Sequence, residues 1–203
     1  MESFQRVTGI AAPLMRINVD TDQIIPTLFL GGTDAKGYGK HLFHHWRYRE
    51  DGSPNPDFLL NQAPYDGSEV LLADRNFGCG SSRERAPKAL REFGFRAVIA
   101  PSFGGIFFNN CYRNGIVPVE LPIEDVQDIA REVEASAGKG KVTVDLEAQA
   151  VTSPSGRRYV FTAPGTLRDM LLQGVDEIEL TLGKRAEIEA FRGRDRARRP
   201  WAY

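Results

Sequence analysis

The chain has 203 residues, 41% of them hydrophobic and 26% charged, enough for one substantial core and ordinary for a soluble globular protein. Its formal net charge of -1 gives no field that would recruit nucleic acid or an anionic membrane. No apolar run approaches the roughly 20 residues of a membrane span, and Met1 to Pro13 lacks the charged and apolar regions of a secretory signal, so a cytoplasmic address is the default expectation.

Strand and helix signals alternate along the sequence. A strand is predicted over Arg6 to Ala11. Phe29 to Lys40 carries Gly31, Gly32, Gly37 and Gly39, too many for a helix or a central strand, and reads as a mobile loop able to fold over a ligand. Lys40 to Tyr48 is helix-permissive and contains His41, His44 and His45; positions 41 and 45 share a helical face, but no acid accompanies them at zinc-site spacing, so a packing or solvated surface is expected. Next come a strand over Glu69 to Asp74 and a helix over Ser82 to Phe93 that Gly94 stops, with Pro87 either in its first turn or at a kink. Strand Ala97 to Ala100, helix Phe103 to Asn114 closed by Gly115, strand Val117 to Leu121 and helix Glu124 to Ala135 follow. Short strands are predicted over Lys141 to Asp145, Ala150 to Thr152, Tyr159 to Thr162 and Ile178 to Leu180, with helices over Pro164 to Gln173 and Lys184 to Phe191. Strands near 70, 98 and 117 with helices between them predict an α/β fold with a mixed, partly parallel sheet, as a single domain over 1–191. Residues 192–203 read as a basic solvated tail that lacks the aromatic platform single-stranded RNA would need.

The most informative stretch is Asn76-Phe77-Gly78-Cys79-Gly80-Ser81-Ser82-Arg83-Glu84, a glycine-spaced turn where strand gives way to helix. It delivers two hydroxyls and a guanidinium to a helix N-terminus, where unpaired N–H groups and the dipole favour a carboxylate or phosphate. Gly78 and Gly80 let the backbone approach such a ligand. The Walker and dinucleotide fingerprints are both missing, and Arg83 stands where a nucleophile elbow needs glycine. The competing reading is an ordinary capping box, because Ser81 and Glu84 have Ser-x-x-Glu spacing.

Asn18-Val19-Asp20-Thr21-Asp22-Gln23-Ile24-Ile25-Pro26, Asn55-Pro56-Asp57-Phe58, the Gly78 to Glu84 turn, Ala100-Pro101-Ser102-Phe103, Ile106-Phe107 and Asn109-Asn110 occur together in this order. In that order and spacing the chain resembles the small subunits of 3-isopropylmalate dehydratase, aconitase-family isomerases of leucine biosynthesis. Val144-Asp145-Leu146-Glu147 and Gly174-Val175-Asp176 extend the likeness to about residue 191. The resemblance implies a layered, swivelling β/β/α domain like the fourth domain of aconitase, and hydro-lyase activity expressed only with a large subunit.

Carried over by the resemblance, Ser81 falls at the serine that acts as alkoxide base, Ser82 and Gly80 at substrate-binding positions, and Arg83 at the carboxylate-binding arginine. Asp22 matches an acidic position of aconitase; Asp20 and Asp22 are expected either to orient these groups or merely to form a turn. Gly31, Gly32, Thr33 and Lys36 fall in the loop expected to read the substrate's side group. A 4Fe-4S cluster, implied by the family, takes three or four cysteine thiolates. Cys79 and Cys111 are the only two cysteines, read as small buried residues, so the cluster is expected on the large-subunit partner and no metal on this chain.

The sequence departs from the family's His-Ala-Pro-Trp by reading Arg85-Ala86-Pro87-Lys88 after Glu84, and Lys36 is the sole cation between Leu30 and Gly37. Selectivity between small apolar groups is worth only about 1–3 kcal/mol and shifts easily. Two alternatives therefore stay open: a paralogous hydro-lyase subunit acting on another hydroxy-diacid, and a non-catalytic binding module of the same fold.

Overall fold

The computed structural model describes residues 2–29, 37–81 and 83–203. The chain opens with strand β1 (Arg6–Leu14), then a four-residue helix α1 (Thr21–Ile24) and a second short helix α2 (His44–Arg47). From there strands and helices alternate: β2 (Val70–Ala73), α3 (Arg85–Phe93), β3 (Ala97–Ala100), α4 (Gly105–Arg113), β4 (Val117–Glu120) and α5 (Ile123–Ala135). Three strands β5 (Lys141–Asp145), β6 (Ala150–Thr152) and β7 (Arg158–Val160) precede the helices α6 (Gly165–Gln173), α7 (Glu177–Leu182) and α8 (Arg185–Arg198).

All seven strands join one sheet in the order β4-β3-β2-β1-β5-β6-β7. The first four run parallel and the last three pair antiparallel, which makes the mixed, partly parallel α/β sheet expected from the strand and helix order. Every residue of β2 and β3 is buried, the signature of central parallel strands covered on both faces. Alternation along them splits the core: Val70, Leu72, Ala97 and Ile99 face α5 residues Val126, Ile129 and Val133 and α6 residue Leu171. Leu71, Ala73, Val98 and Ala100 face Ala86, Ala89 and Leu90 of α3 and Cys111 of α4. Each fully buried Val, Leu or Ile in these clusters contributes about 1.5–3 kcal/mol relative to exposure. The antiparallel flank is covered on one side only, with β5 alternating exposed or half-buried residues against buried Val142 and Val144.

Ile178 to Leu180, expected as a strand, lie in α7, because Asp176 caps it with a box: its carboxylate accepts from Glu179 N at 2.8 Å while its own N–H donates to Glu179 Oε2 at 3.0 Å. The single helix expected over Lys40 to Tyr48 is instead a 3-10 turn (Tyr38–His41) followed by α2, parted at Phe43 in left-handed conformation (φ 48°). The basic end continues α8 to Arg198 and closes on another 3-10 turn (Pro200–Ala202) instead of forming an irregular tail. Of the expected glycine-rich loop, residues 30–36 lie outside the described residues; Thr27–Phe29 before them forms a 3-10 turn. Beyond them, Glu92 of α3 accepts from Gly37 N at 2.8 Å and Gly39 N at 3.0 Å.

Candidate functional site

The glycine turn extends the sheet past the C-terminal ends of its parallel strands, the usual ligand edge of such sheets. After β1 the chain returns alongside it, with Gly78 N donating to Val19 O at 2.7 Å and Thr21 N to Cys79 O at 3.0 Å. On the other flank, Phe77 N donates to Ser102 O at 3.1 Å and Gly104 N to Phe77 O at 2.9 Å. Parallel bridges Asp20–Cys79 and Phe77–Phe103 continue the β1-β2-β3 order. Gly78 (φ +71°) and Gly80 (φ +87°) need left-handed backbone, and a Cβ at Gly78 would stand 2.2 Å from the Phe107 ring.

The structure brings Gly80, Ser81, Arg83, Asp20 and Asp22 together. Ser81 is exposed, and its hydroxyl makes no hydrogen bond among the described residues, while its carbonyl accepts from Thr21 Oγ1 at 2.7 Å. Asp20 is the N-cap of α1: its Oδ1 accepts from Gln23 N at 2.7 Å, and Asp20 N donates to Gln23 Oε1 at 3.0 Å. Asp22 grips the Arg83 guanidinium at both oxygens, Nη1 donating to Oδ1 and Nη2 to Oδ2, the latter at 2.7 Å. Arg83 Nη1 also donates to Ile25 O at 3.1 Å, which leaves Nε and one Nη2 hydrogen outside these contacts. The Arg83 hydrogen bonds, with smaller help from Thr27, hold the Asp22 carboxyl down at about 2. Thr27 supplies that help through its N–H (3.1 Å) and hydroxyl (3.0 Å), both to Oδ1.

Two expectations change, and of the two alternatives for Pro87 one is found. Helix α3 begins at Arg85, with Glu84 as N-cap and no side-chain capping bond, so the Ser81–Glu84 box does not form. Ser81 therefore approaches the helix N-terminus without belonging to its first turn, and the dipole, which fades within a turn, is a weaker influence on it than expected. Pro87 sits in the first turn of α3 and does not kink it. Ser82 and the loop positions Gly31, Gly32, Thr33 and Lys36 lie outside the described residues.

The two cysteines stand in different surroundings. Cys111 is fully buried and its thiol is pushed well up by burial; Cys79 is half-buried and raised by burial and then by the Asp20 charge. Among the described residues no three His, Cys, Asp or Glu side chains gather as metal ligands. His41 stacks on Phe29 (ring centroids 3.8 Å) and His44 meets the same ring edge-on (4.5 Å), with both imidazoles shifted down by burial, so this pair packs the base of the glycine-rich segment.

Two participants escaped the sequence reading, Thr21 and Thr27. The signal for the first was present: Asp20 and Gln23 have capping-box spacing, which places Thr21 at the start of a helix beside the turn. Nothing local marks Thr27.

The aconitase C-terminal domain model matches residues 1–124, and a second model, LeuD_N, matches 127–162. The small subunit of 3-isopropylmalate dehydratase of Cupriavidus necator is 52% identical over all of this chain and 99% of its own length. The corresponding small subunit of Neisseria meningitidis serogroup A is 48% identical with the same coverage. The crystal structure of a 3-isopropylmalate dehydratase from Methanocaldococcus jannaschii superposes with a TM-score of 0.63 at 26% identity, covering 92% of this chain and 99% of that one. With one model spanning more than half of its length and curated relatives near 50% identity end to end, the chain belongs to the family of 3-isopropylmalate dehydratase small subunits, built on the aconitase C-terminal domain.

Proposed function

We propose that this chain is the small subunit of a hydro-lyase that interconverts 2-isopropylmalate and 3-isopropylmalate in leucine biosynthesis, active with a large subunit and acting in the cytoplasm. The reaction removes a hydroxyl and a carbon-bound proton to give an alkene diacid and water, then adds the water back with the opposite regiochemistry. This chain contributes the proton acceptor and a carboxylate grip. Ser81 Oγ, as alkoxide, takes the carbon-bound proton and returns it in the hydration step. Arg83, held by Asp22, presents its remaining donors to a substrate carboxylate in the forked geometry that Lys lacks. Gly80 keeps the backbone low beside them, and Ser82 supplies a second hydroxyl to the substrate. A serine alkoxide is costly at neutral pH, and the nearby guanidinium and the turn's backbone N–H groups lower that cost.

A 4Fe-4S cluster takes three or four cysteine thiolates and this chain has two cysteines, of which Cys111 is fully buried, so the cluster that the family implies is assigned to the large subunit. The cavity is therefore shared, and Gly31, Gly32, Thr33 and Lys36 are the positions assigned to reading the substrate's side group. One observation carries the assignment of roles: an exposed Ser81 hydroxyl, unengaged among the described residues, stands two residues from a guanidinium already oriented by a carboxylate. Retention of the isopropyl substrate is favoured because neither unusual cation is spare. Lys88 pairs with Glu84 at 2.9 Å and Arg85 lies over the Tyr38 ring at 5.7 Å.

The test is Ser81→Ala, coexpressed with the large subunit and assayed on both isopropylmalates and on a methyl-substituted malate. Turnover on isopropylmalate should fall by roughly 10²–10⁴-fold, the range for loss of a positioned base, while the two subunits still copurify. Near-parental turnover in the variant ends the base assignment, and preference for the methyl-substituted diacid ends the substrate assignment.

A further inference from the structure

Thr21 is 3% exposed, one of few polar side chains buried among the described residues. Its hydroxyl donates to the Ser81 carbonyl at 2.7 Å, and its N–H donates to Cys79 O at 3.0 Å. Ser81 itself lies on an exposed turn just after left-handed Gly80, where no packing of its own side chain fixes its peptide. The Thr21 hydroxyl is the hydrogen bond that its backbone receives from a side chain among the described residues. One residue along, Asp22 holds Arg83, and Ile25, the C-cap of α1, accepts from the same guanidinium at 3.1 Å. Helix α1 therefore touches both working parts of the turn, Ser81 through its first residue and Arg83 through its second residue and its C-cap.

We propose that Thr21 is a positioning residue for proton transfer: its hydroxyl locks the Ser81 peptide, and α1 sets the spacing between base and carboxylate grip. The inference rests on the reading of Ser81 as the base. A base displaced by a fraction of an ångström loses rate far more than it loses binding, because near-attack geometry matters only in the transition state. Thr21 and Asp22 should thus separate kinetically, the first acting on kcat and the second on KM.

In the complex with the large subunit, Thr21→Val and Thr21→Ala should each lower kcat by about tenfold or more, with KM within about twofold of the parent. Thr21→Ser, which differs from Thr21→Ala by the oxygen alone, should recover kcat to within about threefold. In this chain by itself, amide hydrogen exchange at Gly80 to Arg83 should quicken in the Val and Ala variants and stay at the parental rate in Thr21→Ser. The proposal fails if Thr21→Ala keeps kcat within twofold of the parent, or if Thr21→Ser is as slow as Thr21→Ala. Failure of the underlying reading is distinct, since it shows as an active Ser81→Ala whatever position 21 contains.

Discussion

In the proposed site Asp22 serves without meeting the substrate. Its two oxygens spend themselves on Arg83 and Thr27, and the guanidinium, 15% exposed at the side chain, is fixed in orientation while keeping donors in reserve. Asp22→Asn removes the charge and one of the two matched acceptors, so Arg83 regains freedom that carboxylate binding must then suppress. KM for isopropylmalate should rise about tenfold with kcat changed much less, the pattern of lost binding that is uniform along the reaction. The same pair predicts an acid limb. The folded-state pKa of Asp22, about 2, lies below the ordinary value of 3.8, so its stabilisation is complete above pH 3.8 and is lost as pH falls toward 2. With the carboxylate 55% exposed, solvent screening limits the contribution to about 1 kcal/mol or less. Urea midpoints of parent and Asp22→Asn should differ by a constant amount from pH 7 to 4 and converge below that; a gap that widens toward low pH would contradict the assignment.

The turn between β2 and α3 works as an element because it is strung between two neighbours, Val19 to Thr21 on one flank and Ser102 to Gly104 on the other. Gly78 is the point of closest approach. Adding a methyl group there would force both a left-handed Ala and a collision with Phe107, itself stacked with Phe103 and edge-on to Phe77. Gly78→Ala should cost about 2–4 kcal/mol, read from the urea midpoint at unchanged slope, and should lower activity at temperatures where the fold survives. The pattern of glycines made this turn legible in the sequence. Strands with both faces buried or with strict alternation were legible too, β3 and β5 to the residue. Local pattern misled where a longer-range or capping contact prevailed: Ile178-Glu179-Leu180 alternates like a strand, yet the Asp176–Glu179 box makes it helical. Left-handed Phe43 carries no sequence signal at all, because glycine or asparagine is what such a position normally shows. The Asp22–Arg83 pair spans 61 residues, and no periodicity reports a contact between a one-turn helix and a distant turn.

At the scale of the whole molecule, stability is concentrated in the two clusters on either side of the parallel strands, and helices α7 and α8 stand outside both. Residues of α6 still belong to the core, since Met170 and Leu171 are buried and Phe4 N donates to Leu171 O at 2.9 Å. Beyond that, α7 is tied by the Arg113–Glu177 ion pair (2.6 Å), and no residue of α8 is buried. The side-chain pairs of α8, Arg185–Glu189 and Arg199–Asp195, are i,i+4 surface contacts of the kind worth about 0.3–0.5 kcal/mol. A helix held only by such pairs contributes little to the unfolding free energy of the rest. Shortening the chain to residues 1–184 should therefore move the melting temperature of the isolated protein by no more than about 2–4 °C, the shift that 1 kcal/mol produces at this size. Shortening it to 1–164 removes Met170 and Leu171 with the rest of α6 and should abolish cooperative melting, because two fully buried side chains of about 2–5 kcal/mol each are a large share of a marginal total. Calorimetry of the two truncations side by side makes the comparison. Loss of cooperative melting in 1–184 as well would place α8 within the cooperative core instead of outside it.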